Sequence, residues 1–133
     1  MRVRDLMQTA LRTIGTDATV AEAVQALAES GVSALPVLDR FGRAVGVLST
    51  REIVAAESRC QTQAERERLF ERTLALELMA PWPGVTHPNV SVPDAAAAMQ
   101  RHEVQRLFVE DRGVLVGVIS QTDIVGAVAA LKI

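Results

Sequence analysis

Three short blocks of this chain recur in the same order roughly 72 residues further on. Val20-Ala21-Glu22-Ala23-Val24 returns as Val92-Pro93-Asp94-Ala95-Ala96, and Leu35-Pro36-Val37-Leu38-Asp39-Arg40 as Leu107-Phe108-Val109-Glu110-Asp111-Arg112. Gly46-Val47-Leu48-Ser49-Thr50-Arg51-Glu52-Ile53-Val54 returns as Gly117-Val118-Ile119-Ser120-Gln121-Thr122-Asp123-Ile124-Val125. The offset is 72 for the first two (92 − 20 and 111 − 39) and 71 for the third (117 − 46). A chain that repeats itself builds repeated structural units, so the repeat takes precedence over any single element. Residues 1–56 read as one repeat, 57–74 as a connecting spacer, and 75–133 as the second repeat.

Local signals give each half the order strand, helix, strand, strand, helix. A short opening segment ends in Leu6-Met7 in the first half and in Leu78-Met79 in the second, and extended pieces follow at Arg12-Thr13-Ile14 and Gly84-Val85-Thr86. Thr19-Val20-Ala21-Glu22 is a capping box, in which the Thr19 hydroxyl accepts from the Glu22 amide and the Glu22 side chain reaches back. Val20, Ala23, Val24 and Leu27 then form an apolar stripe at helical spacing, and Gly31 is a natural stop. In the second half Ser91 is the cap, Pro93 sits in the first turn, and Val92, Ala95, Ala96 and Met99 form the stripe. Glu103 stands where Gly31 stood. Leu35–Leu38 with Ala44–Leu48, and Leu107–Glu110 with Leu115–Ile119, read as β-hairpins with glycine in the turn. Ser49 and Ser120 cap a closing helix in each half, with an acid three residues on, Glu52 and Asp123. The spacer mixes Arg59, Glu65, Arg66, Glu67, Arg68, Glu71 and Arg72 with Leu69 and Phe70, and reads as a solvated spacer helix.

Composition closes off several classes of function. Lys+Arg number 14 against 16 Asp+Glu, for a net charge of −2, which lacks the basic excess of a nucleic-acid binder. Hydrophobic residues make up 49% of the chain, enough to bury a core. The lone cysteine, Cys60, makes no internal disulfide and stands near no His or Asp motif, so it reads as an ordinary thiol. His87 and His102 have no partner at metal-ligand spacing. No Gly-rich phosphate loop and no nucleophilic triad motif is present, so no enzyme is expected. No apolar run approaches a membrane span, and no apolar stretch follows Arg2 and Arg4 as a secretory signal would require, so a cytoplasmic protein is expected. Trp82, between two prolines, is expected to pack. Aromatic residues are 3%, so a flat ligand would lie between aliphatic groups.

The ordered blocks Gly-Val-Leu-Ser-x-x-Glu-Ile and Gly-Val-Ile-Ser-x-x-Asp-Ile, with the two hairpins and the two capped helices, resemble a tandem pair of CBS domains. The resemblance covers nearly all of the chain outside the spacer. It implies an α/β (α+β) fold of two β-α-β-β-α units around a pseudo-two-fold axis. It further implies a regulatory module that binds AMP, ADP, ATP or S-adenosylmethionine in a cleft between the repeats, with no other cofactor. It implies a homodimer, for which the Ala-rich helices (Ala21, Ala23, Ala26, Ala28; Ala95 to Ala98) allow close approach, and a separate regulated protein in trans.

The resemblance also assigns site residues. Asp123 takes the two ribose hydroxyls, which suits a carboxylate because charge-assisted hydrogen bonds are the stronger ones. Ser120 and Thr122 lie beside ribose and phosphate at a helix start, whose amides and dipole favour an anion. Val85 and Thr86 flank the purine, and Arg106 matches a basic phosphate ligand. The equivalent first-half positions are Glu52, Ser49, Ile14 and Gly15. There Glu52 carries one methylene too many, and Ser33 is taken as the counterpart of Arg106. One good site around Asp123 and a weak or empty one around Glu52 are therefore expected. Phe108 in place of Pro36 is expected to narrow the second cleft. The alternative is a dimerisation scaffold that binds no nucleotide.

Overall fold

A computed structural model describes residues 1–81 and 84–130. Trp82 lies outside the described residues. The chain forms two compact units, Arg12–Trp82 and the pair of segments Met1–Leu11 with Pro83–Ile133. Each is a mixed α/β unit with its own sheet and its own core.

The first unit runs β1 (Ile14–Gly15), α2 (Val20–Ser30), β2 (Ala34–Leu38), β3 (Ala44–Ser49), α3 (Thr50–Ser58), α4 (Gln63–Arg72), α5 (Ala75–Leu78) and β4 (Ala80–Pro81). Its sheet has the order β1-β2-β3-β4, with β1 parallel to β2 and the other pairs antiparallel. Thr19 caps α2 as expected: its side chain accepts from the Glu22 amide at 3.2 Å, and Glu22 Oε1 accepts from the Thr19 amide at 3.4 Å. Gly31 ends the helix in the left-handed region, φ +69°. The buried stripe is Val20, Ala23, Ala26 and Leu27; Val24, expected inside, is 36% exposed. These residues face Leu35, Val37, Leu48 and Ile53.

The spacer is helical but not merely solvated. After a break following Ser58, Thr62 caps α4 by accepting from the Glu65 amide. One edge of α4 lays Leu69 and Phe70, both half-buried, against the first core. The rest of it presents the charged residues to solvent, with Arg66 bonded to Glu57 at 2.7 Å. An amphipathic helix finds a partner for its apolar edge even when that edge is two residues wide.

The second unit comprises α1 (Val3–Leu6), β5 (Val85–Thr86), α6 (Val92–His102), β6 (Arg106–Asp111), β7 (Val114–Ser120) and α7 (Gln121–Ala129). Its sheet has the order β5-β6-β7, with β5 parallel to β6 and β7 antiparallel. Ser91 caps α6 by accepting from the Asp94 amide. Glu103 ends it in the same left-handed conformation as Gly31, φ +54°, although it is not glycine. The second hairpin turns on Arg112 and Gly113, both at positive φ. Two consecutive residues of this kind make the tight two-residue turn whose twist suits a hairpin. That is why β6 and β7 pair one residue further into the turn, Asp111 with Val114, than their sequence pattern indicates; they also pair one residue further at the opposite end, Arg106 with Ser120. Phe108 is buried, 2% exposed.

The spatial units cut the chain elsewhere than the repeat boundaries do. The opening segment of each repeat joins the unit built from the other. Val3, from α1, is fully buried among Ala95, Met99, Leu107, Val109 and Ile119. Ala75, 72 residues on, is fully buried in the first core. Next to α1, the Gln8 amide donates to Val118 O (2.9 Å) and the Val118 amide to Gln8 O (3.0 Å), adding an edge to β7. Next to α5, Ala80 pairs with Val47 on β3. Each sheet carries a glycine at the crossing. A Cβ on Gly117 would stand 2.9 Å from Gln8 O, and one on Gly46 would stand 2.8 Å from Ala80 O. Burial of a valine contributes about 1.5–3 kcal/mol, so Val3 is a substantial anchor for its segment.

Candidate functional site

The N-terminus of α7 is organised by Ser120 and Asp123. Ser120 Oγ accepts from the Asp123 amide at 3.1 Å, and Asp123 Oδ2 accepts from the Ser120 amide at 2.9 Å. The second carboxylate oxygen, Oδ1, accepts from Gln8 Nε2 at 3.1 Å. Each oxygen of an ionised carboxylate has two lone-pair directions, so each keeps one for another donor. The Ser120 hydroxyl, used as an acceptor in the cap, still has its proton to give. Of the first-turn amides, that of Gln121 donates to Gln105 O. Among the described residues the Thr122 amide has no acceptor, and Thr122 itself is exposed. The arrangement can thus accept two hydroxyl donors at Asp123 and donate to an anion at Thr122 and Ser120.

Register places the other expected residues. Arg106 is paired directly with Ser120 across β6 and β7, so their side chains leave the same face of the sheet. Val85 pairs with Phe108, which pairs with Val118, so β5 begins two residues in from the sheet end where Arg106 and Ser120 lie. Val85 and Thr86 line an open groove of ≈ 550 Å³ with His87, Asp94, Arg101 and Glu110. Neither Ser120 nor Asp123 lines that groove. The structure therefore sets Asp123, Ser120 and Thr122 at the start of α7 with Arg106 across from Ser120, and places Val85 and Thr86 in a separate groove that includes Glu110 and Gly113 near the hairpin turn.

The first unit repeats the backbone plan with different chemistry. Glu52 Oε1 accepts from both the Ser49 amide (2.9 Å) and the Ser49 hydroxyl (2.6 Å). The longer side chain folds back on its own cap, and Ser49 spends its proton there. Two correspondences also change. The Thr50 amide donates to Ser33 O as the Gln121 amide donates to Gln105 O, so Ser33 corresponds to Gln105. Ala34, paired with Ser49, is the counterpart of Arg106, and like Ser33 it carries no charge. Ile14 pairs with Val37 as Thr86 pairs with Val109, so Ile14 matches Thr86 and not Val85, and Gly15 falls one residue further on.

Sequence reading missed Gln8. Its signal lay in the repeat itself: the offset of 72 pairs Gln8 with Ala80, a polar residue against a methyl group, directly after the corresponding pairs Leu6-Met7 and Leu78-Met79.

A family model for the CBS domain matches the chain twice, over residues 3–59 and 83–130. The chain belongs to the CBS-domain family. The CBS domain-containing protein YhcV of Bacillus subtilis is 30% identical over 122 residues, which are 92% of this chain and 81% of YhcV. The structure of CBSX2 from Arabidopsis thaliana, solved in complex with AMP, superposes with a TM-score of 0.81 at 27% identity and covers 99% of each chain. Other relatives are longer. A homoserine O-acetyltransferase of Methanohalophilus mahii is 27% identical, but this chain spans only 24% of it. A CBS pair is thus found both as nearly a whole protein and as a minor part of a larger one. Among the described residues no helix is long and apolar enough to cross a membrane.

Proposed function

We propose that this CBS pair is a regulatory module that binds an adenosine-containing ligand (AMP, ADP, ATP or S-adenosylmethionine) at the Ser120–Asp123 end of the second unit. The single observation that carries the reading is the Asp123 carboxylate, anchored through both oxygens yet with a lone pair left on each. That is the acceptor pattern a vicinal diol requires. Arg106, the Thr122 amide and the start of α7 suit the phosphate, and the CBSX2–AMP complex supports the ligand class. Glu52, closed on Ser49, makes the first unit's site the weaker one. The ligand is sensed and not turned over. It acts on a partner protein by favouring one arrangement of the module, and only to the extent that it binds that arrangement more tightly.

Calorimetric titration of the wild-type chain with AMP, ADP, ATP and S-adenosylmethionine tests this. One of the four is expected to bind with a dissociation constant on the order of micromolar, about −8 kcal/mol. A folded protein that binds none of them is a scaffold, and the proposal fails.

The module is also proposed to work as a homodimer. Val54 on α3 and Val125 on α7 occupy equivalent repeat positions and are 65% and 66% exposed, with Val128 one turn beyond Val125. Exposed valines at matching places in both halves fit a second copy of the chain. Sedimentation at roughly tens of micromolar is expected to show a dimer, and Val125→Lys with Val54→Lys a monomer. A wild-type monomer at that concentration rejects the idea.

A further inference from the structure

We propose that Gln8 is a positioning residue for the Asp123 carboxylate and thereby sets a preference for ligands that carry both ribose hydroxyls. The inference rests on the nucleotide reading above and adds to it a residue that neither the repeat blocks nor the capping box contains. The carboxylate torsion of an aspartate is broad and roughly two-fold, so a single anchor leaves it free to swing. Here there are two anchors: the Ser120 amide on Oδ2 at 2.9 Å and Gln8 Nε2 on Oδ1 at 3.1 Å.

The second anchor is itself held. Gln8 is fixed to Val118 by a reciprocal pair of backbone hydrogen bonds, and the absence of a side chain on Gly117 allows that approach. α1 secures the same segment through Val3. The side chain of Gln8 therefore reaches Asp123 from a rigid edge and not from a loose end. An acceptor whose plane is set before binding gives up less freedom when the ligand arrives.

The first unit supplies the contrast. Ala80 pairs with Val47 as Gln8 pairs with Val118, and its methyl group has no donor to offer. Glu52 is bonded through Oε1 alone, and both donors come from Ser49. The same backbone plan thus carries a doubly anchored carboxylate in one unit and a singly anchored one in the other. The difference traces to Gln8 against Ala80 together with Asp123 against Glu52.

The test titrates AMP and ATP, each beside its 2′-deoxy form, into wild type, Gln8→Ala, Gln8→Glu and Asp123→Ala. Wild type is expected to prefer the ribonucleotide. In Gln8→Ala the ribonucleotide should weaken about five- to tenfold while the 2′-deoxy form changes less than about twofold, so the preference collapses. Gln8→Glu keeps the length of the side chain but turns the donor into a like charge, and should lower ribonucleotide binding further. A merely structural role would lower both forms together, and that result overturns the proposal, as does an unchanged preference. Failure of wild type to bind AMP, ADP, ATP or S-adenosylmethionine removes the nucleotide reading and this inference with it. Binding that Asp123→Ala abolishes and Gln8 variants leave untouched removes the inference alone.

Discussion

Asp123→Ala is expected to weaken nucleotide binding at least 30-fold while the protein stays folded. Two charge-assisted hydrogen bonds to ribose hydroxyls are worth about 1.5–3 kcal/mol each before non-additivity. The loss of both corresponds to roughly two orders of magnitude or more in dissociation constant. The cost to the fold is smaller, because Ser120 remains in place and only the return arm of the cap is removed; about 1 kcal/mol is expected. Asp123→Asn separates the two roles. Asparagine still offers the Ser120 amide an acceptor, so the melting temperature should barely change. One of its two terminal groups is now a donor, so the diol loses an acceptor and affinity falls nearly as far as in the alanine variant. Calorimetric titration and thermal melts on the same samples read both effects. Undiminished binding by Asp123→Ala would move the ligand site away from α7.

Gly117→Val is expected to destabilise the second unit by about 3 kcal/mol, at the severe end for a single substitution. Gly117 is not at a positive φ, so the argument concerns space and not backbone conformation. Its Cβ would meet Gln8 O and Met7 Sδ, both at 2.9 Å, and Met7 Cγ at 3.2 Å. A methionine side chain can move aside. A carbonyl oxygen in a reciprocal backbone pair cannot retreat without breaking that pair, so residues 7 and 8 must leave the edge of β7. With them go the seat of Val3 and the reach of Gln8 to Asp123. Hydrogen exchange should show the Gln8 and Val118 amides losing protection ahead of those in β6. Gly46→Val should do the same to Ala80 on β3, where the added carbon would lie 2.8 Å from a backbone oxygen. A Gly117→Val protein that melts within a degree or two of wild type would show that the opening segment is not held at this crossing.

The legible parts of the structure were those governed by residues close in sequence. Thr19 and Ser91 cap where a hydroxyl three residues before an acid says they must, and Gly31 stops α2 because it accepts a left-handed conformation without penalty. Even so, the buried stripe of α2 exchanged one member, with Ala26 inside and Val24 at the rim. Hydropathy ranks valine above alanine, but the sheet decides which flank of the helix it covers. Within the spacer, Leu69 and Phe70 of α4 pack on the first core, and two large apolar residues among the helix's six charged ones give little sign of that seat. Of the site, Ser120 and Asp123 stood out as a local motif. The pairing of Arg106 with Ser120, and the one-residue correction at Ile14, needed the register of the strands.

What the amino-acid sequence determined alone was the repeat, the β-α-β-β-α order within each half, and the caps and turns that delimit those elements. Each of these depends on torsional preferences and hydrogen bonds within a few residues, or on a comparison of the chain with itself. What only the tertiary structure decided was where the opening segments dock, and so which unit owns Val3, Gln8 and Ala75. Gln8 and Asp123 are 115 residues apart. No local preference links them; they meet because a glycine leaves room at one sheet edge and a buried valine holds the segment there.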